Sequence, residues 1–88
     1  FEDIISHSPE NEWGKIANYR ILSFDLEAMN DKGRFPTADR NEVIQIASVC
    51  ADQNHPQGFV KIILTLGQCD PIPGAEIFCF DDEKELLL

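Results

Sequence analysis

Apolar residues concentrate in three runs of strand length along the chain, at 20–27, 43–50 and 59–66. Each run is rich in β-branched and aromatic residues, which favour extended structure. A short segment of turn-forming residues, 52–58, separates the second run from the third. Because so short a connection can join only antiparallel neighbours, the pattern predicts three strands of which the last two pair antiparallel.

The segments between these runs are polar and rich in turn-forming residues. Residues 1–19 form a lead-in with few strong apolar anchors, and 29–41 form a polar loop. A second loop, 67–74, is rich in proline and glycine. We therefore expect two regions, a lead-in over 1–19 and a folded part over 20–88.

The end of the sequence has the signature of a helix start. A short extended segment at 76–80 precedes Asp82, which can accept hydrogen bonds as an N-cap, and Glu85 follows three residues later as in a capping box. Three leucines at 86–88 fall in the first turn of this helix. A helix needs several turns to be stable, so we expect these 88 residues to be a piece of a longer protein.

The charge of the chain limits its partners. Sixteen acidic and seven basic residues give a net charge of −9, which repels phosphate, so these residues alone should bind nucleic acid poorly. Five of the seven bases lie in 15–40, where any phosphate contact is expected. No apolar run approaches the ~18 residues of a membrane span, and no membrane partner is expected.

The three cysteines, Cys50, Cys69 and Cys79, include no Cys-x-x-Cys pair. An odd number without this spacing argues against a zinc knuckle or a disulfide framework. Reduced thiols are typical of a nuclear or cytosolic protein.

Asp25 and Glu27 are the strongest candidates for chemistry. Residues two apart in a strand point to the same face, so the first run places both carboxylates side by side among apolar residues. Such a pair can bind a hard cation such as Mg²⁺, and it could form part of a two-metal site for phosphodiester cleavage. The alternative is that both acids belong to a solvated strand face. A two-metal nuclease also needs further acids, and none is obviously placed in this chain.

The loop after this pair holds weaker candidates. Arg34 could contact a DNA backbone, as could Lys32 and Arg40, although a solvated loop explains these charges equally well. Phe35 could stack on a splayed base, or it could pack against the base of its own loop.

The segment 20–27, Arg-Ile-Leu-Ser-Phe-Asp-Leu-Glu, closely resembles the first exonuclease motif of eukaryotic B-family DNA polymerases, which centres on Phe-Asp-Ile-Glu. Leu26 replaces the usual isoleucine, a conservative change. Further blocks resemble the same family in the same order, so the resemblance covers the chain from about residue 10 to its end. These blocks are Glu12-Trp13, 15–17, 33–36, 43–46, 65–66, Cys69, 71–72, 74–75 and 83–87.

This resemblance implies a proofreading 3′–5′ exonuclease domain with an RNase H-like α/β fold, whose first three strands form an antiparallel meander. By similarity, Asp25 would bridge two ions of Mg²⁺ or Mn²⁺, and Glu27 would bind one ion and orient the attacking water. The family's second and third motifs, which supply the remaining acids, are absent from these 88 residues. We therefore expect the metal site to be half supplied here and the isolated fragment to lack nuclease activity.

The resemblance also implies partners and a location. The parent protein would be a replicative DNA polymerase in the nucleus that binds DNA, accessory subunits and a sliding clamp. The isolated fragment would expose strand edges through which it could associate with itself. Two other interpretations stay open: a small acidic β-rich interaction module without catalysis, and a different RNase H-like nuclease, which the blocks outside Asp25 and Glu27 disfavour.

Overall fold

A computed structural model of the chain describes residues 2–88. They form a four-stranded sheet in the order β1-β2-β3-β4, followed by a short helix. The first three strands pair antiparallel, which confirms the meander. The elements are β1 (Arg20–Ala28), β2 (Val43–Asp52), β3 (Val60–Leu66), β4 (Glu76–Phe80) and α1 (Glu83–Leu87).

The fourth strand goes beyond the three-stranded prediction. The extended segment 76–80 joins the sheet as β4 and pairs parallel with β3, from Ile62 opposite Glu76 to Leu66 opposite Phe80. Parallel neighbours require a crossover connection, and residues 67–75 provide it without a helix. The sheet is therefore mixed, and the α/β class is confirmed.

Helix α1 begins at the predicted N-cap, Asp82, but within residues 2–88 the Glu85 carboxylate does not form the reciprocal bond of a capping box. The Asp82 side chain accepts a hydrogen bond from the backbone N–H of Glu85 at 2.8 Å, which satisfies one free donor of the first turn. Leu86, only 2% exposed, anchors the helix. It lines an apolar cleft with side chains of β3 and β4, among them Leu64 and Phe78.

The register assigns side chains to the two faces of the sheet, because residues directly opposite each other point the same way. Leu26 lies opposite Ile46, and Ile46 lies opposite Leu64 on the side that α1 covers. Asp25 and Glu27 therefore belong to the other side, which we call the acid face. Two rows of side chains cross this face from β1 to β4. The first row is Asp25, Ala47, Ile63 and Ile77; the second is Glu27, Gln45, Thr65 and Cys79.

A β-bulge interrupts the pairing of β1 with β2 next to these acids. Glu27 lies opposite Gln45, but the next residue, Ala28, lies opposite Val43, so Ile44 is an extra residue in β2. Beyond the bulge, the N–H of Met29 donates to the carbonyl oxygen of residue 42 at 2.8 Å. A bulge bends the strand that holds the extra residue and redirects the side chains beside it, so β2 bends next to Glu27.

The lead-in contains one turn of 3-10 helix, Asn11–Gly14, and joins the sheet through Gln53. The Gln53 side chain accepts a hydrogen bond from the N–H of Tyr19 at 3.1 Å and donates to the carbonyl oxygen of Ala17 at 2.9 Å. His7 stacks on Trp13 with ring centroids 3.7 Å apart. Across residues 2–88, no helix has the length and apolar character needed to cross a membrane.

Candidate functional site

Asp25 and Glu27 lie on the outermost strand of the sheet. β1 pairs only with β2, so its other edge is open within the described residues. Both side chains are exposed, and adjacent positions on one face of a strand are about 7 Å apart. One oxygen of Asp25, Oδ1, accepts the N–H of Leu26 at 3.0 Å. The carboxylate of Glu27 accepts no hydrogen bond from residues 2–88. The pair therefore keeps oxygen atoms free for a ligand.

The neighbours of the pair add no positive charge. Ala47 lies opposite Asp25 and Gln45 lies opposite Glu27, so a methyl group and a neutral amide flank the two acids. The one base in the strands of this face, Lys61, lies opposite Val49, beyond Ala47 along β2. No cation in the neighbouring strand positions neutralises the two carboxylates, so their oxygens stay available to ligate a positive ion.

Glu27 also borders a cleft of about 590 Å³ at the bulged end of β1. Phe35 lines the same cleft and is 89% exposed, so the interpretation in which it packs against its own loop is wrong. The loop after β1 thus brings Phe35 to the cleft that Glu27 borders, although eight positions separate them. The other lining residues are Leu26, Ala28, Asn30, Pro36, Thr37, Ala38, Asn41 and Val43.

Several polar residues of this cleft escaped the sequence analysis. Asn41 Oδ1 accepts the N–H of Thr37 at 3.0 Å, and the Thr37 hydroxyl accepts from Nε of Arg40 at the same distance. Asn30 Oδ1 accepts the N–H of Gly33 at 2.8 Å. An Asn three residues before a Gly is a signal for such a turn, but Asn41 offered no comparable pattern.

Arg34 lies at a tight turn that projects from this loop. Asp31 and Arg34 form an isolated β-bridge, and Lys32 and Gly33 between them have φ of 54° and 74°. Two successive left-handed residues are typical of a type I′ turn, for which glycine at the second position is well suited. Arg34 does not line the cleft and forms no ion pair within the part of the chain described. Its role in DNA contact stays a prediction.

The donor set for a metal is incomplete in this chain. Among residues 2–88 no group of three or more His, Cys, Asp or Glu side chains is arranged to hold a metal ion. Asp25 and Glu27 supply hard oxygen ligands that suit Mg²⁺, but they are only two. The pair thus fits half of a two-metal site.

The comparisons define the class of this protein. A family model described as the exonuclease domain of family B DNA polymerases matches residues 1–88. The chain belongs to this family, as its first exonuclease motif predicted.

Individual relatives narrow the resemblance further. The chain is similar to proteins named DNA polymerase delta catalytic subunit: 45% identical over 87 residues in Drosophila melanogaster, 43% over 88 residues in Glycine max and 45% over 87 residues in Bos taurus. The matches cover 99%, 100% and 99% of the chain but 8% of each relative. These names confirm the likeness to delta catalytic subunits.

Proposed function

We propose that Asp25 and Glu27 are the first two metal-binding acids of a proofreading 3′–5′ exonuclease within a DNA polymerase. The observation that carries this proposal is the carboxylate pair on the exposed acid face of β1, with free oxygens, no neighbouring cation and a cleft beside Glu27. Membership of the exonuclease-domain family supports it. Residues 20–88 would then open the exonuclease domain, and 1–19 would lead into it.

Asp25 and Glu27 would hold Mg²⁺ or Mn²⁺. When bound, the two ions supply an activated water and stabilise the oxygen that leaves the phosphodiester. By similarity, Asp25 and Glu27 would both serve as metal ligands, and Glu27 would also orient the attacking water. The missing acids would come from other parts of the full-length protein, so these 88 residues alone have no nuclease activity.

The cleft beside Glu27 would receive the 3′ end of a DNA strand. Its apolar wall, which includes Phe35 and Pro36, suits the flat face of an unpaired base. Arg34 would contact the phosphate backbone nearby, where its charge offsets part of the local acidity. The occupant is a frayed single strand, because paired bases leave no face open for stacking.

The full-length protein would be a DNA-directed DNA polymerase that replicates DNA in the nucleus. By resemblance to delta catalytic subunits, its partners are DNA, accessory polymerase subunits and a sliding clamp. The acidic charge of these residues would be offset by the bound ions and by basic surfaces elsewhere in the protein.

The test replaces each acid in the full-length polymerase. We expect Asp25→Ala and Glu27→Ala each to lower the rate of 3′–5′ digestion by about 10²-fold or more, since a lost metal ligand removes several kcal/mol of transition-state stabilisation. DNA synthesis by the same enzymes should be unchanged. Ser23→Ala, on the same face of β1, serves as the control. Undiminished digestion in both acid variants would overturn the proposal and favour an interaction role for the pair.

The same assay tests the cleft. Phe35→Ala should raise KM for a single-stranded 3′ end by about 10-fold and leave kcat nearly unchanged, because it removes stacking rather than chemistry. Phe35→Trp, which keeps an aromatic face, should restore KM. An unchanged KM in Phe35→Ala would show that the ring contacts no substrate.

A further inference from the structure

Glu83 reaches from the start of α1 to the start of β2. Its Oε1 accepts the backbone N–H of Val43 at 3.0 Å, and the bond is partly buried. The pairing of β2 with β3 ends at Gln45 opposite Thr65, so Val43 lies beyond that ladder. A backbone N–H in this position needs another partner, and the carboxylate of Glu83 provides it.

Val43 is also the residue that closes the β-bulge. It lies opposite Ala28, whereas the preceding residue of β1, Glu27, lies opposite Gln45. The bend lies in β2, which holds the extra residue, so Val43 sets how the end of β1 after Glu27 lies against β2. Since a bulge redirects the side chains beside it, a shift of Val43 would turn the Glu27 carboxylate.

We propose that Glu83 is a positioning residue for Glu27. It acts through Val43: its carboxylate holds Val43, Val43 fixes the bulge, and the bulge orients Glu27. This inference rests on the proposed function of the acid pair. The polypeptide thereby couples the first turn of α1 to the catalytic end of β1 across 40 positions of sequence.

Glu85 provides a matched control on the same helix. Both acids lie in the first turn of α1, where negative charge is favourable, so both variants lose a similar interaction with the helix. Glu85 is exposed, and its carboxylate accepts no hydrogen bond within the described part of the chain. A change specific to Glu83 therefore reports the bond to Val43 and not the charge of the helix start.

The experiment compares Glu83→Leu, Glu83→Gln and Glu85→Leu in the full-length polymerase. We expect Glu83→Leu to lower exonuclease kcat by about 10-fold and to raise the Mg²⁺ concentration needed for half-maximal digestion, as loss of a residue that orients a metal ligand does. KM for DNA and the rate of synthesis should not change. Glu83→Gln keeps an oxygen acceptor and should stay within about threefold of the parent enzyme, as should Glu85→Leu.

A second variant covers the case in which Glu83→Leu does not fold. Glu83→Asp keeps the charge but is one methylene shorter, so it should lose the bond to Val43 and resemble Glu83→Leu in kcat and Mg²⁺ requirement. The inference is overturned if Glu83→Asp and Glu83→Leu digest normally, if Glu85→Leu loses as much activity, or if synthesis falls together with digestion. Normal digestion by Asp25→Ala and Glu27→Ala enzymes would instead overturn the proposed function itself.

Discussion

Asp52 closes the turn between β2 and β3 with a single oxygen atom. Its Oδ1 accepts the N–H of Asn54 at 3.0 Å and that of His55 at 2.8 Å, and it lies 2.9 Å from Nδ1 of His55. The hydrogen bond from the His55 side chain is the main cause that holds the pKa of Asp52 below its usual value of 3.8; desolvation opposes it, and the backbone hydrogen bonds from His55 and Asn54 lower the pKa further. The ring of His55 also lies against the ring of Phe59, the residue before β3, with centroids 5.6 Å apart.

This lowered pKa has a consequence for stability. A carboxyl whose pKa is lower in the folded state stabilises the protein above its unfolded pKa, and this contribution is lost as the pH falls through the folded pKa. We therefore expect Asp52→Asn to be less stable than the parent chain at pH 7 and the difference to shrink below about pH 4. The measurement is the urea midpoint of unfolding for both proteins at several pH values between 7 and 3.

Asp70→Asn is the control for this pH dependence, because the Asp70 carboxylate accepts no hydrogen bond from residues 2–88. Its unfolding midpoint should follow that of the parent chain at every pH. A stability difference for Asp52→Asn that stays constant down to pH 3 would contradict the assignment of the lowered pKa to the turn.

At the level of elements, Gln53 attaches the lead-in to the sheet. It forms one hydrogen bond to each side of Asn18, through the N–H of Tyr19 and the carbonyl oxygen of Ala17. The lead-in pairs with no strand in the described structure, and its apolar side chains Ile4, Ile5 and Ile16 are largely exposed. These two bonds are thus the principal attachment of the segment before β1.

Loss of this attachment should expose the lead-in to proteases. Two hydrogen bonds of about 1 kcal/mol each hold it, so Gln53→Ala should speed trypsin cleavage after Lys15 by about 30-fold. Gln57→Ala changes a residue in the same connection between β2 and β3, and trypsin should cleave this variant at the rate of the parent chain. Mass spectrometry of the first products identifies the cleavage site. Equal cleavage rates for both variants would show that Gln53 does not hold the lead-in against the sheet.

At the scale of the whole molecule, few side chains of the described residues are shielded from solvent. Leu86 and Thr65 are the buried side chains among residues 2–88, while Leu22, Phe24 and Leu26 on β1 are 61%, 67% and 49% exposed. The radius of gyration is 20.0 Å, against about 12 Å for a compact domain of this length. An apolar sheet face next to an open strand edge is a surface that other chains can pair with.

We therefore expect the isolated 88 residues to associate with themselves. Light scattering between about 1 and 100 μM should show a mass that rises with concentration, because pairing at the β1 edge buries apolar side chains and backbone groups. Phe24→Lys, which puts a charge on that face, should reduce the association. Phe35→Lys places the same charge on the loop and should leave it unchanged. A concentration-independent monomer would contradict the expectation.

Much of this molecule follows from local patterns in the sequence. The three apolar runs became β1, β2 and β3, and Asp82 caps α1, because strand propensity and capping depend on neighbours close in sequence. The shared face of Asp25 and Glu27 follows from the two-residue period of a strand. The motif around them was also sufficient to assign the family.

The tertiary structure alone decided how these pieces meet. Four features join residues that are separate in sequence. They are the parallel pairing of β4 with β3, the bulge after Glu27, the hydrogen bond from Val43 to Glu83, and the cleft that Phe35 and Glu27 both line. No local pattern specifies them, because register and packing are chosen by the free energy of the whole sheet. The two-residue period of a strand determines that Asp25 and Glu27 share a face, but the pairing of the folded chain determines which residues lie next to them.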